Sequence, residues 1–206
     1  MLNKRRDFQT HLWQTIASIE HFSQVEVVVI VKDRSAEYPE IPWVLGTLGA
    51  WVTHTYLIFS PIVFYDLAIY FGPIVAFIFF SFLGLIPHIQ RICVSKRRQQ
   101  KSAEITARAL FQKAGIQHTQ AKIGVLVYCS LLEKTTVVLA DRGAELAIPP
   151  DDWQKIRQRL QAIFKTRDPK SSLLQALKEC QSVFAQYLPA DANNVNELPD
   201  NLDIRL

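Results

Sequence analysis

The stretch that decides the fold is the apolar block at residues 41–90, IPWVLGTLGAWVTHTYLIFSPIVFYDLAIYFGPIVAFIFFSFLGLIPHIQ, in which Asp66 is the one formally charged side chain. A membrane-spanning helix needs about 20 mostly apolar residues, so the block is long enough for two spans and a tight connection. We place the spans near residues 43–63 and 73–92, with the turn between Phe64 and Pro73. The alternative is a hairpin buried in a soluble core, but a domain this small has too little surface to cover so much apolar area.

The flanks of the block predict its orientation. Basic residues lie on both sides of it, whereas the predicted turn has no Lys or Arg. The positive-inside rule therefore predicts a multi-pass protein of the plasma (inner) membrane with both termini in the cytoplasm. The basic cluster after the second span predicts contact with anionic lipid headgroups through Arg97, Arg98 and Lys101. Because no nucleic-acid motif accompanies this cluster, we expect no nucleic-acid partner.

Few polar residues interrupt the block. Asp66 is expected to be a loop residue between the spans. His54 is expected to form a hydrogen bond between packed helices, and a proton relay is the less favoured alternative. The block begins too late and is too long for a cleaved signal peptide.

The remainder of the chain has the composition of a folded domain. Of its 206 residues, 49% are hydrophobic and 20% are charged, and the formal net charge is +4. Three cysteines, Cys93, Cys129 and Cys180, lie far apart and are odd in number, which argues against a disulfide framework and a zinc pattern. We expect them to be small apolar residues in a reducing compartment.

Helical and strand patterns alternate outside the apolar block. Apolar residues at helical spacing predict helices at residues 7–22, 96–115, 151–164 and 171–188. Apolar, β-branched runs predict strands at residues 25–31, 123–129 and 135–140, with a short edge segment at 144–149. Since one strand precedes the block and the others follow it, the spans are an insertion within a single α/β domain.

The domain organisation follows from this insertion. Residues 1–40 are predicted to hold the N-terminal helix and first strand, and residues 41–93 the transmembrane hairpin. Residues 94–190 complete the domain, and residues 191–206 form a polar C-terminal tail without periodicity.

Asp141 ends the third predicted strand in the stretch VVLADRGAEL, residues 137–146. Carboxylates at strand ends of layered α/β domains ligate hard cations such as Ca²⁺ or Mg²⁺. Glu20, Glu26 and Glu133 are candidate companions if the fold brings them close. The alternative is ordinary turn chemistry, in which Asp141 bonds the local backbone and Gly143 supplies a positive φ. Both interpretations stay open on the sequence.

The order of several short motifs resembles the TPM-domain family. They are Phe111, Thr119, Gly124-Val125-Leu126-Val127, Glu133, Asp141-Arg142-Gly143 and Trp153-Gln154-Lys155-Ile156. The opening segment IASIEHFSQVEVVVIV carries Glu20 and Glu26 where the family has two acids before and within a Val-rich strand. The tail NELPDNL, residues 196–202, is similar to an ending common in bacterial members.

The resemblance implies an α/β/α sandwich around a small mixed β-sheet, here with an inserted two-helix transmembrane hairpin. It also implies membrane attachment, often in bacteria. Some relatives bind Ca²⁺, some show weak acid phosphatase activity, and others maintain photosynthetic or membrane complexes. This chain departs from the usual arrangement, which is an exported domain with a C-terminal anchor, because its anchor is internal.

Motifs for catalysis are not found: the sequence has no P-loop, GxSxG, HExxH or CxxC. We therefore expect a non-enzymatic binding, assembly or maintenance factor with a membrane-protein partner. No cofactor is expected beyond a Ca²⁺ or Mg²⁺ ion. The alternative function is a divalent-metal-dependent hydrolase that resembles an acid phosphatase.

Overall fold

The computed structural model describes residues 2–116 and 122–190, with side chains from residue 7 onward. Two units make up the chain, one formed by Met1–Ser35 with Gln100–Leu206 and the other by Ala36–Gln99. The predicted polar tail at residues 191–206 lies outside the described residues.

The described elements follow one another in this order: α1 Leu2–Phe22, β1 Glu26–Lys32, α2 Glu40–Phe59, α3 Asp66–Gly84, α4 Pro87–Cys93, α5 Lys96–Lys113, β2 Gly124–Ser130, β3 Thr135–Ala140, α6 Arg142–Ala147, α7 Pro150–Ala162, a 3-10 turn at Ile163–Lys165 and α8 Pro169–Tyr187. The three predicted strands are present, and a helix corresponds to each predicted soluble helix. One long predicted feature, the second span, is divided between α3 and α4.

The sheet is small and mixed, as expected. Its strand order is β1-β2-β3, with β1 parallel to β2 and β3 antiparallel to β2. Glu26 is paired with Gly124 at one end of these two strands, and Lys32 is paired with Ser130 at the other end. The connection from β1 to its parallel neighbour β2 contains the whole Ala36–Gln99 unit, so this unit is inserted in sequence between two adjacent strands.

Helices cover both faces of the sheet because alternate strand residues point to opposite sides. The larger core joins α1, α7 and α8 to one face, through residues that include Leu12, Val29, Val127, Leu160 and Phe184. The smaller core joins α5 to the other face, through residues that include Val28, Leu126, Tyr128, Ala103 and Ala107.

Two glycines are required by the backbone. Gly115 adopts a φ of 69° after α5, the left-handed conformation that glycine favours at a helix C-terminus. Gly124 begins β2 directly beneath Ile116: an added Cβ would lie 2.4 Å from the Ile116 Cγ2 atom and 2.9 Å from its carbonyl oxygen. A larger residue at position 124 would therefore push Ile116 out of the smaller core.

The segment predicted as a short edge strand at residues 144–149 is helical instead. Asp141 caps the first turn of α6, and its carboxylate accepts a hydrogen bond from the Arg142 backbone N–H. An N-cap aspartate stabilises the start of a helix. This cap outweighs the weak alternation of apolar residues that suggested a strand.

The Gln161 side chain of α7 covers the start of the outer edge of β3. Its Oε1 atom accepts a hydrogen bond of 2.9 Å from the Thr136 backbone N–H, and its Nε2 atom donates one of 3.0 Å to the Lys134 carbonyl. The amide of Gln161 thus occupies backbone groups that another strand would otherwise use.

Helices α2 and α3 form an antiparallel pair in the second unit. Pro42 near the start of α2 lies against Gly84 at the end of α3, and Leu57 near the end of α2 lies against Gly72. The turn between them covers residues 60–65, so the predicted turn from Phe64 to Pro73 is wrong.

Two prolines explain the position of this turn. Ser60 is extended because the residue before a proline avoids helical backbone angles, and α2 ends there. Pro73 lies inside α3, where the sequence suggested a break. Asp66 is consequently in the first turn of α3 and not in a loop.

One of these helices, α3, is long and apolar enough to cross a membrane among the described residues, by length and composition. Helix α2 has a similar length but carries more polar side chains: Thr47, Thr53, His54 and Thr55. His54 is exposed and makes no hydrogen bond to α3 within the described chain, so its role in helix packing stays a prediction.

Replacing Leu126 with Ala tests the smaller core. Leu126 is 0% exposed, and a buried Leu→Ala change costs about 2–5 kcal/mol of unfolding free energy. We expect a loss in this range when the detergent-solubilised chain is unfolded with urea and followed by circular dichroism. Leu146 is 76% exposed, so Leu146→Ala is the matched control. Equal effects of the two changes would contradict the assignment of Leu126 to a core.

Candidate functional site

The four predicted site acids lie at the two ends of the sheet, where its strands begin and end. Glu26, Gly124 and Asp141 lie in line across the edge where β1 and β2 begin, because Glu26 pairs with Gly124 and the Asp141 N–H donates to the Gly124 carbonyl. Strand spacing puts the Cα atoms of Glu26 and Asp141 about 10 Å apart. This line of residues is called the amino edge below.

Strand alternation places Glu26 and Asp141 on the same face of the sheet. Val28 and Ile30 follow Glu26 at even spacing, and Val137 and Leu139 precede Asp141, all in the core beneath α5. The two carboxylates therefore flank Gly124 on one side of the sheet. They are two predicted ligands that share both one end and one face of the sheet.

Asp141 has one engaged oxygen and one that lacks a donor. Its Oδ1 atom accepts a hydrogen bond of 2.7 Å from the Arg142 N–H, whereas the buried Oδ2 atom has no hydrogen-bond partner among the described residues. Gly143 is helical, with its N–H on the Lys122 carbonyl, so the predicted positive φ at Gly143 is wrong. Asp141 thus caps a helix with its Oδ1 atom, and its Oδ2 atom accepts no hydrogen bond from the described residues.

Glu20 reaches the amino edge from the last turns of α1. Its Oε1 atom accepts a hydrogen bond of 3.2 Å from the Val27 N–H at the start of β1. Glu26 is 6% exposed at the first residue of the same strand. Glu20, Glu26 and Asp141 therefore belong to one end of the sheet.

Glu133 belongs to the opposite end. It lies between Ser130, the last residue of β2, and Thr135, the first residue of β3. The strands between the two edges span about 20 Å, at about 3.3 Å per residue. The structure does not bring Glu133 together with the other three acids, and a site shared by all four is not formed.

The Glu133 carboxylate organises a buried polar network instead. Both of its oxygens accept from the Ser35 N–H at 3.2 Å, and Oε2 accepts a very short hydrogen bond from the Ser130 hydroxyl. The Ser35 hydroxyl lies 2.9 Å from the Tyr128 hydroxyl, and the Thr106 hydroxyl donates to the Ser35 carbonyl. Burial raises the pKa of the Tyr128 phenol above its ordinary value. This network fastens Ser35 to β2, to the β2–β3 turn and to α5.

The predicted cation site is consequently reduced to the amino edge. Hard cations such as Ca²⁺ take six to eight oxygen ligands, and the spare Oδ2 atom of Asp141 is an oxygen of that kind. Within residues 2–116 and 122–190 there is no group of three or more His, Cys, Asp or Glu side chains that could hold a metal ion. A Ca²⁺ or Mg²⁺ site stays a prediction.

A polar groove of about 400 Å³ lies elsewhere in this unit, between α1 and α8. It is lined by residues that include His11, Thr15, Ser18, Lys178 and Gln181. None of the four predicted acids lines it, so the acids and this groove do not form a common pocket.

Two cysteines of the domain, Cys129 and Cys180, are buried and therefore unreactive. Burial raises the pKa of both Cys129 and Cys180 to about 12. A thiol with so high a pKa is not a thiolate nucleophile at neutral pH. Cys93 is exposed.

The basic cluster divides into engaged and unengaged side chains. Arg98 forms an ion pair with Glu40, and its guanidinium lies 5.5 Å from the centre of the Tyr38 ring. Arg97 and Lys101 are exposed and form no ion pair among the described residues. Arg98 therefore has a structural partner that the sequence did not indicate.

Comparison with known proteins gives the class of domain. Residues 89–183 match the family model described as "TPM domain", which is just under half of the chain. The resemblance deduced from the motifs is confirmed for that segment. Of the motif residues inside it, Thr119 lies outside the described residues, as does the NELPDNL tail beyond it. Glu20 and Glu26 precede the matched segment.

A solved structure has a similar fold. It is the NMR structure of the BA42 protein from the psychrophilic bacterium Bizionia argentinensis, which is 16% identical to this chain. The match covers 94% of this chain and 90% of that one, with a TM-score of 0.58, and it shows a shared fold. No curated protein sequence matches the chain.

Removal of the Glu133 carboxylate tests the buried network. We expect Glu133→Ala to lower the unfolding free energy by about 1–3 kcal/mol, because it leaves buried donors without an acceptor. Glu133→Gln keeps one acceptor oxygen and should cost less. Glu104→Ala, at an exposed site on α5, is the control. Urea unfolding of the solubilised chain measures the free energy of unfolding of all three variants. An equal loss of stability in Glu133→Ala and Glu104→Ala would contradict the network.

Proposed function

We propose that α2 and α3 form a membrane-inserted hairpin that holds the TPM-like domain at the cytoplasmic face of the plasma membrane. There the domain acts as a non-enzymatic factor that binds membrane proteins and supports the assembly or maintenance of their complexes. Both termini are cytoplasmic in this proposal, since an antiparallel pair begins and ends on one side of the bilayer.

The observation that carries the proposal is the reversed packing of α2 and α3. Apart from Ile41, the buried residues of the two helices are glycines. An added Cβ at Gly46 would lie 2.2 Å from the Ser81 hydroxyl, and one at Gly49 would lie 2.2 Å from the Phe80 ring. Small residues at a helix interface are typical of membrane proteins, where lipid and Leu are equally apolar and close backbone approach favours association.

The large apolar side chains of the pair point outward. Only 6% of the most apolar 18-residue stretch of α3 is buried inside the structure. Exposed side chains on the two helices include Trp43, Leu48, Val52, Phe59, Leu67, Phe71, Val75, Phe79 and Phe82. A continuous apolar surface of this kind is not stable in water and is the surface that a hydrocarbon environment accepts.

The flanking charges support the cytoplasmic orientation. Arg97 and Lys101 are exposed at the start of α5 and are available for anionic headgroups. We assign Arg98 mainly to the ion pair with Glu40, so its share in lipid binding is smaller than that of its neighbours. Basic residues near the cytoplasmic leaflet contribute about 1 kcal/mol each to its attraction.

A binding role fits the proposed position of the domain at the bilayer surface. Anchoring at the bilayer raises the effective concentration of the domain toward other membrane proteins. An interface of small area is therefore sufficient for the domain to bind a neighbouring membrane protein.

The alternative function is a divalent-metal-dependent hydrolase with phosphatase-like activity. The observation that favours it is the amino edge, where the buried Asp141 Oδ2 atom has no hydrogen-bond donor among the described residues and Glu26 lies at the same end of the sheet. In that case Asp141 and Glu26 would supply oxygen ligands to a Ca²⁺ or Mg²⁺ ion, with water completing its coordination, and the ion would polarise a phosphoryl oxygen.

Extraction and labelling of native membranes test the anchor. We expect the full chain to stay in the pellet after alkaline carbonate and high salt, because two apolar helices in lipid are not released by charge screening. Epitopes at the two termini should be labelled from the same, cytoplasmic face. Release into the wash, or termini on opposite faces, would contradict the hairpin.

Assays with and without divalent ions separate the two functions. We expect no hydrolysis of a generic phosphomonoester by the solubilised chain with Mg²⁺ or Ca²⁺, together with co-purification of membrane proteins after mild crosslinking. Turnover that needs the ion and is lost in Asp141→Asn would favour the hydrolase instead. Glu145→Gln, an exposed acid four residues later, is the matched control.

A further inference from the structure

One side of the α2–α3 pair differs from the other. Trp43, Thr47 and His54 are all exposed on α2. They are four and seven residues apart, so they lie along one stripe of the helix. The Trp43 ring lies 5.8 Å from the Phe77 ring of α3, which places the stripe beside the contact between the two helices.

A groove continues this side of the pair onto α3. Its volume is about 320 Å³, and its lining includes Trp43, Phe77, Ser81 and Leu85. The Ser81 hydroxyl is buried and has no hydrogen-bond partner within the described residues. A groove along two packed helices has the shape that accepts the side chains of a further helix.

The opposite side of α2 has a different character. Leu48, Val52 and Phe59 are exposed there, and their side chains suit lipid. Thr47 and His54 do not, because a polar side chain in hydrocarbon is costly unless it faces protein or a polar cavity. Thr47 and His54 are thus on the outer surface of α2, whereas Thr53 lies near Gly72 of α3.

The polar groups of the stripe are complementary to themselves. A neutral imidazole has one donor and one acceptor, and a hydroxyl both donates and accepts. In two copies inserted with the same orientation, a twofold axis along the membrane normal brings equal residues together. Thr47 and His54 can therefore be satisfied by their own counterparts, and the stripe has no formal charge that would repel its copy.

We propose that the Trp43–Thr47–His54 side of the hairpin is the interface of a homodimer, in which a second copy of the chain packs its hairpin against the first to form a four-helix membrane bundle. This inference rests on the proposed insertion of the hairpin in a membrane. It assigns Thr47 and His54, which have no hydrogen-bond partner among the described residues, to contacts between copies.

Cysteine crosslinking in native membranes tests the dimer. The full chain is expressed with Cys93→Ser, which leaves the two buried cysteines, and a single cysteine is added as Thr47→Cys or, for the control, Val52→Cys. Membranes are first washed with alkali and then oxidised. We expect Thr47→Cys to give mostly disulfide-linked dimers and Val52→Cys to give about fivefold fewer, since residues beside a twofold axis are within disulfide reach.

A second substitution separates specific contact from crowding. His54→Leu in the Thr47→Cys chain should lower the dimer yield about threefold, the effect of one lost interhelical hydrogen bond. Since Leu makes α2 more apolar, poor insertion cannot explain such a loss. Tyr56→Leu, on the other side of the helix, is the control and should leave the yield unchanged.

The outcomes distinguish this inference from the proposal on which it depends. A chain that stays in washed membranes yet gives no dimer, crosslinks equally at Val52→Cys, or crosslinks only to a different protein overturns the dimer alone. A chain that is released by the alkaline wash overturns both the membrane hairpin and the dimer.

Discussion

The close approach of α2 and α3 through their glycines is the constraint on which the inserted unit depends. Because Pro42 lies against Gly84, this helical pair begins and ends side by side. Any side chain that forced the two helices apart would disrupt the pair. In the other unit, β1 and β2 are parallel neighbours, an arrangement that needs a long connection between them.

The buried network around Glu133 has a related role within the domain. Ser35 is the last residue before the inserted unit, and its backbone N–H, carbonyl and hydroxyl are all bonded to β2, α5 or the β2–β3 turn. Desolvated hydrogen bonds to a carboxylate are strong and directional. The point where the chain leaves the sheet is therefore fixed by polar contacts, whereas the sheet itself is held by apolar ones.

Local patterns in the sequence predicted most elements because the relevant physics is local. The β-branched runs gave the three strands and the helical stripes gave α1, α5, α7 and α8, since side-chain period follows from backbone geometry. The turn in the apolar block was misplaced because Gly72 and Pro73 are residues that usually break helices, whereas here they lie inside α3. Packing against a neighbouring helix tolerates them.

Site geometry was harder to predict because it depends on register. The sequence indicated four acids, but it did not show that β2 carries Glu133 to the end opposite Asp141. Similarly, the contact of Ser35 with Tyr128 joins residues far apart in the chain and leaves no local pattern. The Asp141 cap, by contrast, was foreseeable as turn chemistry, although α6 replaced the expected strand and Gly143 needed no special φ.

The Gln161 amide at the start of β3 has a consequence for association between molecules. Exposed strand edges pair with strands of other molecules and seed aggregates. By occupying the Thr136 N–H and the Lys134 carbonyl with its own side chain, the domain hinders the addition of a foreign strand at that part of the edge.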